Sequence, residues 1–430
     1  MPTKPDTDTE TVVDVADLSV HFSLGGSSLA RLVGRSLGTV KAVDGISLSL
    51  AKGEVLGVVG ESGSGKSTLG RALLGMAPIT AGSIRLHGRD LATMSKRQLR
   101  EIRRDVQIIF QDPNAALNPA MTVEQAVGDP LRIHGIPARD RGPRIVEALE
   151  RVGLSPVELF LTKYPSDLSG GQRQRVVIAR SIIMNPSVLV ADEPISMLDM
   201  SVRAKMLQLM LDLRAQLDLT YLYITHDLAS AKFFCNRIAI MYLGKIVEVG
   251  STREIFESPK HPYTKALLAA IPDPDPSKPK TADLLTGEIP DAARPPRGCA
   301  FHPRCPVAFD RCGWEARDLL ATMESHWLKT RASTYDLERS RIANLHLLAT
   351  QEGGPAVLAP SPDASVTDLA SLIAEMRQES PDVRFWQGVA AVEETPTDLR
   401  VEFTEGEEPH LQPVGDVEVS CHLYSSPATE

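Results

Sequence analysis

Gly60-Glu61-Ser62-Gly63-Ser64-Gly65-Lys66-Ser67-Thr68 has the residue types and spacing of a loop that wraps phosphate. Gly60, Gly63 and Gly65 let backbone N–H groups turn inward around phosphate oxygens, and a following helix would add the positive end of its dipole. Lys66 would reach the β- and γ-phosphates, and the Ser67 hydroxyl would ligate Mg2+. Ser62 and Thr68 complete the expected nucleotide contacts of this loop.

Two carboxylates complement it. Ser187-Val188-Leu189-Val190-Ala191 reads as a buried strand that delivers Asp192 and Glu193 at its carboxyl end. Asp192 would hold Mg2+, through water, and Glu193 would polarise the attacking water as general base. Val106–Phe110 reads as a strand ending in Gln111, whose amide can contact both Mg2+ and that water. Leu222–Thr225 is another, ending in His226, whose imidazole can contact the γ-phosphate. A glutamine or histidine after a strand is usually structural when it stands alone. Four strands that all end in groups suited to one phosphate argue otherwise.

The elements that must position these groups are legible around them. Glu54–Val59 is a β-rich run, the glycine loop follows, and Ser67–Leu74 reads as a helix. This is the strand, loop and helix context that the pattern G-x-x-x-x-G-K-[ST] requires. In parallel α/β sheets ligands sit at the carboxyl ends of the strands. Leu168-Ser169-Gly170-Gly171-Gln172 is a second glycine-rich element shortly before the acidic pair. Its glycine N–H groups and serine hydroxyl at a helix start would form another anion cradle. That implies a nucleotide shared between two such modules.

In their order along the chain, Gln111, Leu168–Gln172, Asp192–Glu193, Ser196-Met197-Leu198-Asp199 and His226 resemble the Q-loop, signature, Walker B, D-loop and H-switch of ATP-binding-cassette (ABC) ATPases. The resemblance implies an α/β fold, with a RecA-like core, a helical subdomain (about residues 112–185) and an antiparallel β subdomain, together spanning 1–255. It implies ATP and Mg2+ as cofactors and a head-to-tail dimer. Ser169 and Gly171, with Gly170 and Gln172, would then meet the γ-phosphate held by Lys66 of the other subunit, while Asp199 couples the two sites. Phe22 falls where the family keeps an aromatic to stack on adenine. Ile195 and Met197 depart from the family's usual residues beside Asp199.

The loop from Leu24 to Thr39 and the stretch Asp112-Pro113-Asn114-Ala115-Ala116-Leu117-Asn118-Pro119 resemble the ATP-binding subunits of dipeptide/oligopeptide (and nickel) importers, especially the second ATPase of the pair. Ala116 and Ala120 replace that family's serine and arginine. After the cassette, His261-Pro262-Tyr263 and Gly298-Cys299-Ala300-Phe301-His302-Pro303-Arg304-Cys305-Pro306 resemble the C-terminal module of the same importers, here 256–316. Cys299, Cys305 and Cys312 lie within fourteen residues, and Cys421, in the segment 411–430, resembles the family's fourth cysteine. Four thiolates make a tetrahedral zinc site or an iron–sulfur cluster. The spacing suits Zn2+ poorly, and the resemblance favours [4Fe-4S], with His302 and His422 beside it or on the surface. Cys235, in an apolar run, reads as a core residue.

More than a hundred residues separate Cys312 from Cys421. The added length costs only about 1.5 kcal/mol in loop closure, so distance does not exclude Cys421. Within it, Leu369, Leu372, Ile373 and Met376 mark one helix face, and Leu399, Val401 and Phe403 alternate as a strand does. Gly353–Ser365 reads as a Pro/Ala/Ser linker and Glu405–Glu408 as a solvated loop. The expectation is a small α+β insert at 317–410.

Composition bounds the rest. The 430 residues suit two or three domains, and 43% hydrophobic with 23% charged content is that of an ordinary globular protein. A net charge of −9 argues against a nucleic-acid surface. No apolar run is long enough to span a membrane, and the acidic start is not a secretory signal, so a cytoplasmic location is expected. The resemblance implies an ATPase that powers import of peptides or similar solutes from the inner face of the membrane. Its implied partners are a paralogous second ATPase, two permease subunits and an extracytoplasmic solute-binding protein, and no nucleic acid. An exporter ATPase, or a soluble ABC ATPase acting on nucleic acid or ribosomes, is the alternative reading.

Overall fold

The computed structural model describes residues 10–24, 38–271, 287–351 and 353–425. Most of the loop read at Leu24–Thr39 lies outside them. The chain divides into two units, Met1–Pro259 with Pro413–Glu418, and Lys260–Gln412 with Val419–Glu430.

In the first unit, β1 (Thr11–Ser23), β2 (Thr39–Ala51), β4 (Ala81–Leu86) and β5 (Arg89–Asp90) make an antiparallel sheet of order β2-β1-β4-β5. The core sheet contains β3 (Val55–Val59), β6 (Val106–Ile109), β7 (Val188–Asp192), β8 (Thr220–Thr225) and β9 (Arg237–Tyr242), with β10 (Lys245–Ser251) antiparallel to β9. The order β9-β3-β8-β7-β6 is parallel throughout. Every residue of β3, β7 and β8 is buried. Such continuous apolar runs, without alternation, are what a sheet covered on both faces demands.

Between β6 and β7 the chain turns helical. Asp112 caps Pro113–Ala116, with proline at the first helical position where no N–H is needed. Thr122 and Gln125 form a capping box at the start of Val123–Ile133. Ala138–Arg151, Glu158–Leu161 and Gly170–Ile182 follow.

The second unit begins with the helix Pro262–Ala269, where the His261 Nδ1 accepts the Tyr263 N–H at 3.1 Å. After the cysteine-bearing turns come helices Ala316–Trp327, Ala332–Ser340, Leu345–Leu348 and Val366–Glu379. β11 (Ala356–Leu358), β12 (Val389–Glu394) and β13 (Leu399–Phe403) form an antiparallel sheet of order β11-β13-β12. Leu369, Leu372, Ile373 and Met376 are buried on the last helix, as are Leu399 and Val401 on β13.

Several sequence expectations change here. The stretch read as a linker, Gly353–Ser365, contains β11, whose Ala356 and Leu358 are fully buried opposite Val401 and Leu399. A three-residue strand is too short to announce its period. Glu405–Glu408 remains a solvated loop, with all three glutamates exposed; within it Glu407 accepts a 2.6 Å hydrogen bond from Arg311, and its carbonyl accepts from His422. Residues of the cysteine segment and of the insert fall within the same compact unit. The Trp314 ring meets Phe385 edge to face at 5.9 Å, and Gly388 lies where a Cβ would strike the Trp314 ring. Finally, β14 (Gln412–Val414) and β15 (Val417–Val419) add a hairpin to β10, completing an eight-stranded sheet. Among the described residues no helix is long and apolar enough to cross a membrane.

Candidate active site

The loop after β3 has its form because glycine alone fits. Gly65 has φ +101°, and a Cβ there would overlap the Ala42 carbonyl; one at Gly60 would overlap that of Met241. Gly63 is also left-handed, at φ +81°. The helix Lys66–Leu73 starts directly from Gly65. Ser62 is exposed in the loop, and Thr68 is half-buried in the helix.

Lys66 is buried inside this loop and donates to the carbonyls of Gly60 and Glu61, at 2.8 Å each. Burial pulls its ammonium below the usual lysine value, opposed by the negative charges of Glu193, Asp192 and Glu61. The Ser67 hydroxyl donates to Asp192 Oδ1 at 2.9 Å, tying helix to β7. Burial raises the Asp192 carboxyl, and the Ser67 hydrogen bond pulls it back down. Ser67 and Asp192 therefore present adjacent oxygens, the donor chemistry Mg2+ prefers.

Glu193 follows immediately, at φ +48°. Its Oε2 accepts from Gln111 Nε2 at 2.9 Å, and its Oε1 lies 2.9 Å from His226 Nδ1. A carboxylate only accepts, so Nδ1 carries the proton in that contact. Gln111 just beyond β6, Glu193 at β7 and His226 after β8 thus come together from three adjacent parallel strands. Sequence reasoning placed all three residues but missed the left-handed backbone at Glu193. It also missed Ser196, whose hydroxyl donates to the Glu193 carbonyl at 3.0 Å.

Ser169 caps the helix Gly170–Ile182. Its hydroxyl oxygen accepts from Gln172 N at 3.3 Å, and the Gln172 side chain accepts from Ser169 N at 2.9 Å. Ser169 and Gly170 are exposed, Gly171 and Gln172 half-buried, so the element faces outward. Asp199 caps the helix Met200–Leu217. The side chains beside it, Met197 and Met200, are 63% and 84% exposed. Phe22, near the end of β1, is also exposed.

In the second unit Cys299, Cys312 and Cys421 are buried and Cys305 is half-buried. Cys299 N donates to the Cys312 carbonyl at 2.9 Å. Burial raises the thiols, and the charges of Cys305, Cys312 and Cys421 raise Cys299 further; Cys305 is pushed up to about 12. Among the described residues, however, no group of three or more His, Cys, Asp or Glu is gathered as a metal ion would require. The two histidines are not surface groups. His302 is buried, with Nδ1 2.9 Å from the Cys299 carbonyl and Nε2 3.1 Å from Asp318. His422 is buried as well, with Nε2 2.8 Å from the Glu407 carbonyl. Cys235 is a buried core residue.

The family model for ABC transporters matches residues 43–196, and that for the oligopeptide/dipeptide transporter C-terminal region matches 247–312. The oligopeptide transport ATP-binding protein AppF of Bacillus subtilis is 42% identical over 323 residues, 74% of this chain and 96% of that protein. The oligopeptide transport ATP-binding protein OppF of Salmonella typhimurium is 43% identical over 305 residues, 70% of this chain and 90% of its own. Among solved structures, cbiO1 of Clostridium perfringens, part of the ABC transporter complex cbiONQ, aligns with a TM-score of 0.50 at 27% identity. That alignment covers 58% of this chain and 92% of cbiO1.

Proposed function

The chain belongs to the oligopeptide/dipeptide importer family of ABC ATP-binding subunits, and from that premise we propose how its own residues perform ATP hydrolysis. It is the ATPase subunit of a peptide importer. Lys66 and the N–H groups of Gly63 and Gly65 would hold the β- and γ-phosphates, with Ser62 and Thr68 contributing hydroxyls and Phe22 stacking on adenine. Ser67, Asp192 and Gln111 would hold Mg2+, which neutralises phosphate charge. Glu193 would take a proton from the attacking water while Gln111 orients that water and His226 contacts the γ-phosphate. The observation that carries this reading is the Glu193 carboxylate, held by Gln111 and His226 directly beside the Ser67–Asp192 pair.

The outward-facing Ser169–Gln172 element supports a shared site. Its serine hydroxyl oxygen already accepts from Gln172, which leaves the O–H proton to donate to a phosphate oxygen of a second cassette. Asp199 would couple the two sites. That second cassette is a paralogous ATPase, and the pair works from the inner face of the membrane on two permease subunits, supplied by a solute-binding protein.

Three buried thiols and the half-buried Cys305, with Cys299 and Cys305 raised by the charge of the other cysteines, support the finer reading of Cys299, Cys305, Cys312 and Cys421 as ligands of a [4Fe-4S] cluster. The cluster would place positive iron where thiolates otherwise repel. Zn2+ is the alternative for the same four thiols, and the described residues gather no group of three or more ligands for either. No step of ATP hydrolysis runs through the cluster. Protein purified anaerobically should carry iron and acid-labile sulfide; their absence would remove this reading.

The importer reading is tested by purifying the Glu193→Gln variant from native membranes in mild detergent and identifying its companions by mass spectrometry. Two polytopic proteins and a second cassette ATPase are expected. Recovery with nucleic acid or ribosomes, or without membrane partners, would overturn the assembly and leave the hydrolytic chemistry intact.

A further inference from the structure

The second unit has a half-open cavity of about 330 Å³, within the size range of small-molecule sites. One wall is aromatic: Trp314, Phe385 and Trp386, with ring centroids 5.9 Å apart for the first pair and 5.1 Å for the second. Both indole N–H groups are spoken for, Trp314 by the Phe309 carbonyl at 2.8 Å and Trp386 by that of Ser380 at 3.1 Å. The wall therefore offers a ligand only π-faces and edges.

The charges that line the cavity are one-sided. Asp318 is its one lining carboxylate, and it is already committed to His302 and to the Glu315 N–H. Lys329 and Arg384 also line it, and both are exposed. Neither side chain makes a hydrogen bond or ion pair among the described residues. His326 lines it too, with its ring nitrogens 3.4 Å from Glu338 and 3.5 Å from Glu379. Two cations without a hydrogen-bonded partner beside an aromatic wall, Arg384 near enough to the lining Cys305 thiol to favour its thiolate, suit an anionic head on a flat apolar body, since guanidinium and ammonium groups pair with carboxylate or phosphate in charge-assisted bonds.

We propose that this cavity is a binding site for a small aryl anion, a carboxylate or phosphate on an aromatic ring, held by Lys329 and Arg384 and stacked against Trp314 and Trp386. It lies outside the nucleotide machinery and uses none of its residues, and it shares the lining thiol Cys305 with the cysteine set.

The test is titration calorimetry on the full chain, with the phosphate loop saturated by Mg-ADP. Benzoate and phenyl phosphate are the probes, and benzyl alcohol is the uncharged control. At least one anion should bind once per chain with a Kd tighter than about 1 mM, and the tighter one identifies the head group. Replacing both Lys329→Gln and Arg384→Gln should weaken it about tenfold or more, while the tryptophan near-ultraviolet circular dichroism, which comes from Trp314, Trp327 and Trp386 of this unit, stays that of the wild type and so reports an intact fold. Binding of neither anion, equal binding of benzyl alcohol, or undiminished affinity in the double variant would overturn the proposal.

Discussion

His226 stands 2.9 Å from one carboxylate oxygen of Glu193, and Gln111 stands 2.9 Å from the other. The base is thus held from both sides by groups that arrive from neighbouring strands. Orientation and proton acceptance are therefore separable by mutation. Glu193→Gln keeps the side-chain shape and loses the basic oxygen. ATP binding should persist while turnover falls about 10²–10⁴-fold, the usual contribution of a general base. Near-normal hydrolysis would remove Glu193 from that role.

Ser67 makes its own prediction. Its hydroxyl both offers an oxygen to Mg2+ and helps keep the buried Asp192 charged. Ser67→Ala should lower nucleotide affinity about tenfold or more in the presence of Mg2+, and far less in its absence. The loss should deepen as pH falls, because the Asp192 carboxyl, already raised by burial, loses the bond that pulled it down. Equal losses with and without Mg2+ in binding titrations would count against the assignment.

Ser169 carries two roles that different substitutions separate. Ser169→Ala removes the cap of Gly170–Ile182 and should cost about 1 kcal/mol in stability along with hydrolysis. Ser169→Asn restores a cap but not the hydroxyl, so denaturation should return towards wild type while ATPase activity remains lost. Recovery of activity with asparagine would show that only the cap mattered.

His261 sets an acid limit on folding. Burial pushes its imidazole down to about 3, and its Nδ1 must stay unprotonated to accept from Tyr263 N. The unfolded chain binds the proton near the ordinary value of 6.5, so this stability is complete above that pH and drains away as pH falls towards 3. Between pH 7.5 and 5.5 the loss is about 1.4 kcal/mol. Urea denaturation at the two values should show it, and His261→Asn, which keeps a capping oxygen, should abolish that share. An unchanged pH dependence in the variant would contradict the account.

Much of the site was legible because it is local. Strand, loop and helix around Gly60–Thr68 each carry their own signal, and the apolar runs before Gln111, Asp192 and His226 end where polar residues begin. What escaped depends on partners far along the chain. β11 exists because Ala356 and Leu358 meet Val401 and Leu399, and nothing in three residues beside prolines and glycines declares that pairing. His302 and His422 looked peripheral because burial of a histidine is decided by what packs over it. The left-handed backbone at Glu193 has no sequence sign at all, since glycine or asparagine is the usual occupant of that conformation.

Met197 and Met200 give the chain a built-in chemical clock. Their thioethers lie open on either side of Asp199, and an open thioether is oxidised to sulfoxide by dilute peroxide far faster than a covered one. If Asp199 meets a second cassette, the same two sulfurs fall into shadow whenever the cassettes are together. Sulfoxide formation at these positions, counted by peptide mass, then tells the time spent apart, with no label attached and no residue changed.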